Sequence, residues 1–493
     1  MGLDIDRERF EDDDRRRFRT RLARALEALE ELLRRPGFGE GAASIGAELE
    51  VSLIDGLGSP LPINRAVLFE ALDPQVSLEL DRFNLEINTR PVPLAGRPFA
   101  GLEHELAQGL GAIRRAAAAH GGRVVTIGIL PTLRADDLTS AALTDSRRFR
   151  ALSAEIRHLR HEPFEVRIEG DDRLTITSDD VTLQGANTSL QVHLRVAPVA
   201  YAATFNAAQI VTAPALAVAT NSPLFLGRRL WEETRIALFR QSVDDRAGAE
   251  DWRPARVSFG HGWVRASALE PFAESVAFHP PLLPLCSAEE DPVASVRAGG
   301  IPALEELRLH QGTVWHWNRA VYDPGAGGHL RVELRALPAG PTVPDMVANA
   351  AFLVGATLGL APDIERTLSG LTFGHARRNF YRAARHGLDA ELLWPSAAGS
   401  SPEVVPAARL VERLLPVAER GLLAAGVDAE DVGRRLGLIA ARLGRATTGA
   451  RWQRRALDAL ARGRTSSEAT DAMLEHYQRA SESDVPVHEW SVP

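Results

Sequence analysis

The amino-acid sequence predicts an α+β fold, with a largely antiparallel sheet, surrounding helices and a helical C-terminal part. Three observations carry that prediction. Between Ser44 and Pro338, short β-like runs are divided irregularly by amphipathic helical stretches, not in a regular strand–helix–strand series. Several of those runs alternate apolar with charged residues, the period-two pattern of a strand with one buried face. Beyond Pro344 the apolar residues fall at helical spacing, interrupted by loops rich in Ser, Pro and Gly.

Taken in order, residues 7–35 carry Leu22, Leu26, Leu29 and Leu33 on one helical face, and Pro36-Gly37 stops the run. This predicts an N-terminal helix within residues 1–40 that packs on the body. The β-like runs of the 41–340 core are SIGAELEVSLID, VSLELDRFNLEINTRP, GRVVTIGILP, TSLQVHLRVAP and GHLRVELRAL, with helices expected near 97–119 and 199–220. Residues 287–300, acidic and rich in small side chains, read as a surface loop. The glycine-rich 323–328 segment reads as a hairpin loop, since it lacks P-loop spacing. Helical segments follow near 345–361, 376–386, 404–425, 429–444 and 450–461, with a loop at 396–402. Region 341–493 reads as part of the same domain.

Composition narrows the function. A chain of 493 residues with 45% hydrophobic content can bury a full core, and a formal charge of −8 argues against nonspecific nucleic-acid or anionic-membrane binding. The N-terminus is dense in both charges and lacks a signal-peptide core, and the longest apolar stretch, Ala350 to Ala361, is too short to cross a bilayer. With Cys286 as the one cysteine, neither a disulfide framework nor a cysteine metal cluster can form. A cytoplasmic setting is expected. All 57 basic residues are arginine. Schiff-base chemistry and the P-loop lysine are therefore excluded, and any phosphate must be held by arginine, backbone N–H groups or metal.

The strands place acids where apolar residues would be ordinary. Glu48 and Glu50 share one face of their strand. Gln191, His193 and Arg195 share a face of a second, and Arg331, Glu333 and Arg335 of a third. Glu79 and Glu86 face each other if residues 81–84 make a tight turn, and point apart if the segment is one strand. Each face alone could be a solvated surface laced with salt bridges. Five glutamates and a histidine together would repel without a counter-ion, and such an oxygen-rich set suits Mg²⁺ or Mn²⁺. Carboxylates, metal and arginines are what phosphoryl transfer requires, so the pattern predicts an enzyme acting on a metal–nucleotide complex.

The segments GAELE, NLEINTRP, NTSLQVHLRV, TNSPLFLG and HLRVELRALPAGPT resemble, in this order, motifs of the glutamate–cysteine ligase superfamily. The likeness is to bacterial family-2 ligases and YbdK-type carboxylate–amine ligases. It implies an incomplete, funnel-like antiparallel β-barrel related to glutamine synthetase, with ATP and Mg²⁺ on its polar face. By resemblance, Glu48, Glu50, Glu79, Glu86, His193 and Glu333 are metal ligands, with Glu48, Glu333 and Arg335 also toward the nucleotide. Arg335 would contact phosphate or acyl phosphate, and Arg235 with Asn221 the amino-acid substrate. Arg319 or Trp317 is a candidate for bordering the nucleotide. Arg256 and His261-Gly262-Trp263 are candidates for the amine pocket, and Thr447, Thr448 and Arg451 for a closure over the phosphates. The implied reaction joins L-glutamate to an amine, L-cysteine by default, through an acyl phosphate. A different amine or acid, or a catalytically silent nucleotide or amino-acid sensor, are the alternatives. The expected partners are small molecules, with neither nucleic acid nor membrane, and a homodimer is left open.

Overall fold

The computed structural model describes residues 5, 7–248, 251–288, 291–396 and 401–493. Eight strands make the main sheet: β1 (Ser44–Ile54), β2 (Val76–Leu78), β3 (Asn84–Asn88), β4 (Val92–Pro93), β5 (Arg123–Val125), β6 (Ser189–Val196), β7 (Asn318–Asp323) and β8 (His329–Pro338). Their order is β7-β8-β6-β1-β3-β2, with β4 and β5 on opposite ends of β1, and every pairing is antiparallel. The sheet curls into a half-barrel.

Alternation decides which face goes inward. Leu49, Val51, Leu190, Val192, Leu194 and Val332 are buried on one side. Helices α2 (Pro98–Ala119), α3 (Tyr201–Ala219) and α4 (Val343–Leu360) cover that side. Gly109 of α2 sits so close to β3 that a Cβ there would come 2.7 Å from Ile87 Cγ2. Both α3 and α4 lie within stretches long and apolar enough to cross a bilayer, unlike the shorter run read from the sequence. They are mostly buried inside the protein, which accounts for their composition.

Around this centre pack α1 (Asp12–Arg34), α5 (Phe373–His386), α6 (Ala407–Ala424), α7 (Ala429–Gly444), α8 (Gly449–Leu460) and α9 (Ser466–Glu482). In α1, Glu11 and Asp14 form a capping box, and Phe18, Leu22, Leu29 and Leu32 face inward. Where α4 crosses α6, a Cβ on Gly355 would come 2.7 Å from the Ala418 carbonyl. Glycine there lets the two backbones touch.

Three expectations need correction. Within 287–300, Pro292–Arg297 is a helix: Asp291 caps it through the N–H groups of Val293 and Ala294 and is held by Arg24. Only Arg123–Val125 of the predicted run GRVVTIGILP is a strand. The helix Arg147–Arg160, the hairpin Phe164–Glu169/Arg173–Ser178 and α9 are further elements, beyond those the sequence predicts. Part of the predicted loop at 396–402, residues 397–400, lies outside the described residues.

Candidate active site

The polar face of the sheet is a grid fixed by register. Glu333 of β8 pairs with Arg319 of β7 on one side and with His193 of β6 on the other, and His193 pairs with Gly46 of β1. One step along, Gln191 pairs with Glu48, and Glu48 with Asn88. Further on, Glu50 pairs with Glu86, and Glu86 with Ser77. The 76–88 segment is thus a hairpin, which settles the alternative left open by the sequence: Glu79 and Glu86 are on the same side. Opposite Gln191, β8 carries the two residues Arg335 and Ala336, a β-bulge. It aims the Arg335 guanidinium back at Glu333, 2.6 Å away, and at Gln191.

Two clusters result. In the first, one ligand atom each of Glu48, His193 and Glu333 lies within 4.8 Å of the others. His193 Nε2 is 3.1 Å from Glu48, and Arg319 grips Glu333 with two bonds, of 2.5 and 2.9 Å. Burial opposes ionisation of Glu48, but the charge and hydrogen bond of His193 bring it down to about 2. Burial likewise opposes Glu333, and Arg319 and Arg335 hold it well below the ordinary range. In the second cluster, Glu50, Glu79 and Glu86 are equally close together. Glu50 accepts bonds from Ser189 and Gln191, Glu86 from Asn88 and Ser77, and Glu79 from the Leu80 N–H. Burial and then Glu79 push Glu50 up to about 7, and burial with the neighbouring carboxylates raises Glu86 well above 4.5. Glu79 is raised too, mainly by burial. One cluster is balanced by guanidinium groups; the other has no cation in bonding contact among the described residues.

That asymmetry tests whether a divalent ion fits. Three carboxylates with only amide, hydroxyl and backbone donors around them form a hard, oxygen-only set suited to Mg²⁺ or Mn²⁺. The first cluster adds one imidazole to two carboxylates and still has acceptor capacity left on Glu48 and Glu333.

A cavity of about 500 Å³ opens over β1, β6, β7 and β8 and includes Glu48, His193, Arg319 and Glu333 in its lining. Arg195 and Arg331, placed on this face by the sequence, line it as well. Arg148 and Arg308 were missed, because they arrive from helices whose sequence carries no strand-like alternation.

Other predicted residues lie elsewhere. Arg235 is 2% exposed and sits beneath the site, bonded to Glu233 and to the Ala336 carbonyl of the bulge. The Asn221 side chain is buried among Ala339, Tyr477 and Gln453. The Arg256 guanidinium is 0% exposed and bonded to Asp245, Thr313 and Pro280. In this structure Asn221 and Arg256 are core residues with their polar groups already engaged. Trp317 packs against Phe239, Phe380 and Arg235 rather than lining the cavity. Thr448 caps α8 by accepting from Arg451 N–H, and the Arg451 side chain pairs with Asp389.

The curled antiparallel sheet turns carboxylates and arginines toward one cavity, and the fold is that of glutamate–cysteine ligase. The chain belongs to the glutamate-cysteine ligase family 2, whose model matches residues 44–480, and is accordingly an ATP-dependent carboxylate–amine ligase. No curated protein sequence matches significantly. Among solved structures it is similar to glutamate–cysteine ligase from Francisella tularensis in complex with AMP. That match has a TM-score of 0.55 and 11% identity, over 92% of this chain and 91% of that one. It is also similar to a bifunctional glutathione synthetase from Pasteurella multocida, with a TM-score of 0.52 and 11% identity, over 94% of this chain and 55% of that one.

Proposed function

We propose that the protein joins the γ-carboxylate of L-glutamate to an amine, by default L-cysteine, using Mg²⁺ and ATP. The observation that carries this reading is the pair of ligand clusters on adjacent rows of one sheet face. Glu50, Glu79 and Glu86 would hold one ion, and Glu48, His193 and Glu333 another. Bound there, the ions supply charge neutralisation for the polyphosphate.

The remaining work falls to the chain's own groups. Arg319 and Arg335, braced by Glu333, present guanidinium groups to phosphate oxygens, and the arginines lining the cavity extend that positive wall. The substrate carboxylate attacks the γ-phosphorus of ATP and ADP leaves, giving an acyl phosphate. The amine nitrogen then attacks the acyl carbon, the C–O bond to phosphate breaks, and the amine loses a proton. Arg335 holds the departing phosphate in this scheme. Arg235 acts from below, fixing the bulge that aims Arg335, which its bond to Ala336 supports.

The test is ADP release with glutamate and a panel of amines, cysteine included. Glutamate- and cysteine-dependent ADP release with stoichiometric amide is the expected result. Release with another amine alone would replace cysteine, and no release with any amine would overturn the ligase reading. Glu86→Gln and Glu333→Gln should each lower turnover by roughly two orders of magnitude or more with the far-UV spectrum unchanged. Retained activity would sink the assignment of the clusters.

A further inference from the structure

A third cluster of metal-ligating side chains lies outside the carboxylate grid. His261 follows the short strand Val257–Ser258, His279 ends the helix Glu270–Phe278, and His316 belongs to the strand Trp315–His316. The two short strands pair in parallel, Ser258 beside His316, which brings the elements together. One ring nitrogen from each histidine lies within 4.8 Å of the other two. The ring centroids are 5.3, 6.0 and 6.4 Å apart. His279 and His316 are 4% and 8% exposed.

What separates this cluster from ordinary packing is its unmet bonding. The Nε2 atoms of all three rings are buried and find no hydrogen-bond partner among the described residues. Edge contact with Phe278 satisfies the shape of the His261 ring but not its nitrogen. Three rings brought together from three elements, each with a buried nitrogen that forgoes a partner, are an arrangement a metal resolves. A carboxylate is at hand: Glu274 Oε1 is 3.9 Å from His261 Nε2. The cations facing the cluster are already engaged, Arg256 with Asp245 and Arg319 with Glu333, while Arg377 stands on the His261 side. Burial keeps the imidazoles in the neutral form that binds metal, with His261 at about 4 and His316 at about 3.

The geometry points to a zinc-class site at His261, His279 and His316, with Glu274 beside the open fourth position. Nitrogen donors select Zn²⁺ over Mg²⁺, the reverse of the oxygen-only cluster on the sheet. Bonds of about 2.0 Å put tetrahedral donors about 3.3 Å apart, so the ring nitrogens close by up to about 1.5 Å through side-chain rotation. The bound ion ties the 258–263 loop and the 270–278 helix to the Trp315–His316 strand, which Trp317 joins to β7 and its Arg319. It thereby steadies a cavity wall from outside the carboxylate grid.

The test uses the full-length protein freed of metal, titrated with Co²⁺ as a spectroscopic probe and with Zn²⁺ by calorimetry. One Co²⁺ with a tetrahedral ligand-field spectrum, displaced by Zn²⁺ and not by excess Mg²⁺, is expected in the wild type. His279→Ala and the milder His261→Asn should each weaken that binding more than about a hundredfold, whereas Glu86→Gln and Glu333→Gln leave it intact. Wild-type protein showing no tetrahedral Co²⁺ would overturn the site without recourse to any variant. So would binding that survives both histidine changes, or that disappears with Glu333→Gln.

Discussion

At the scale of single residues, the two carboxylate clusters differ in how their charge is met, and this difference is measurable. Glu50 is raised from an ordinary 4.5 to about 7 in the metal-free protein, with burial the largest cause and Glu79 next. A raised folded-state value means the folded chain holds that proton more tightly than the unfolded chain. The stabilisation is therefore fully present below 4.5 and is lost as pH climbs through 7. Metal-free protein should melt progressively lower across that window, with Glu50 accounting for up to about 3 kcal/mol. Saturating Mg²⁺ should flatten the fall, and Glu50→Gln should flatten it without metal. An identical pH slope in the variant would show that the carboxylate is not strained. These glutamates were legible in the sequence because strand alternation is strict, so a charged residue two positions from another shares its face. The buried arginines were not. In a chain without lysine every strong cation is arginine, so residue type cannot distinguish Arg256, locked to Asp245 in the core, from Arg319 on the cavity wall.

At the scale of elements, the site depends on local departures from regularity that alternation cannot reveal. The bulge at Arg335–Ala336 and the hairpin turn before Asn84 each reset which way a side chain points. Helices with a clear apolar stripe, such as α7 and α8, lie near their expected ends, whereas α1 starts at Asp12, five residues after the expected start. The hairpin at 164–178 was overlooked although FEVRIE and RLTITS alternate, because its second strand buries little. Close approach of α2 to β3 offers a test of how tightly the sheet is seated. Gly109→Ala would place a methyl group 2.7 Å from Ile87 Cγ2, on a β-branched residue with little freedom to turn away. Alanine favours a helix over glycine by up to about 1 kcal/mol, but overpacking of this kind costs about 1–3 kcal/mol. A net loss of about 1 kcal/mol is expected in urea unfolding. Combined with Ile87→Ala, the change should be less damaging than the two single losses added together. Strict additivity would mean that the helix simply shifts. Because Ile87 neighbours Glu86, the same variant should also raise the Mg²⁺ concentration needed for half-maximal turnover.

At the scale of the whole molecule, the C-terminal helices are joined to the sheet by buried polar ties as well as by apolar contact. Arg442 of α7 bonds to Asp345 and Asn349 of α4 and to the Val218 carbonyl of α3. The other oxygen of Asp345 accepts from the Thr342 hydroxyl and from the N–H of Val487 in the closing segment. In α9, the Tyr477 hydroxyl donates to the Thr126 carbonyl just past β5 and accepts from Asn221. We propose from these ties that residues 341–493 unfold with the catalytic core as one cooperative unit. Asp345→Ala leaves the Arg442 charge buried, at 1% side-chain exposure, without its carboxylate partner. Loss of one partner of such a pair costs about 3–5 kcal/mol. If the unit is single, that loss should appear as one lowered melting transition, reported together by tryptophan fluorescence, far-UV signal and Mg-ATP protection. Asp345→Asn, which keeps an acceptor oxygen for Arg442, should lose less. Separation of the variant's melting into two steps, with Mg-ATP protecting only the later one, would make the C-terminal helices an independent domain. It would confine the ligase chemistry to the half-barrel and the helices that cover its apolar face.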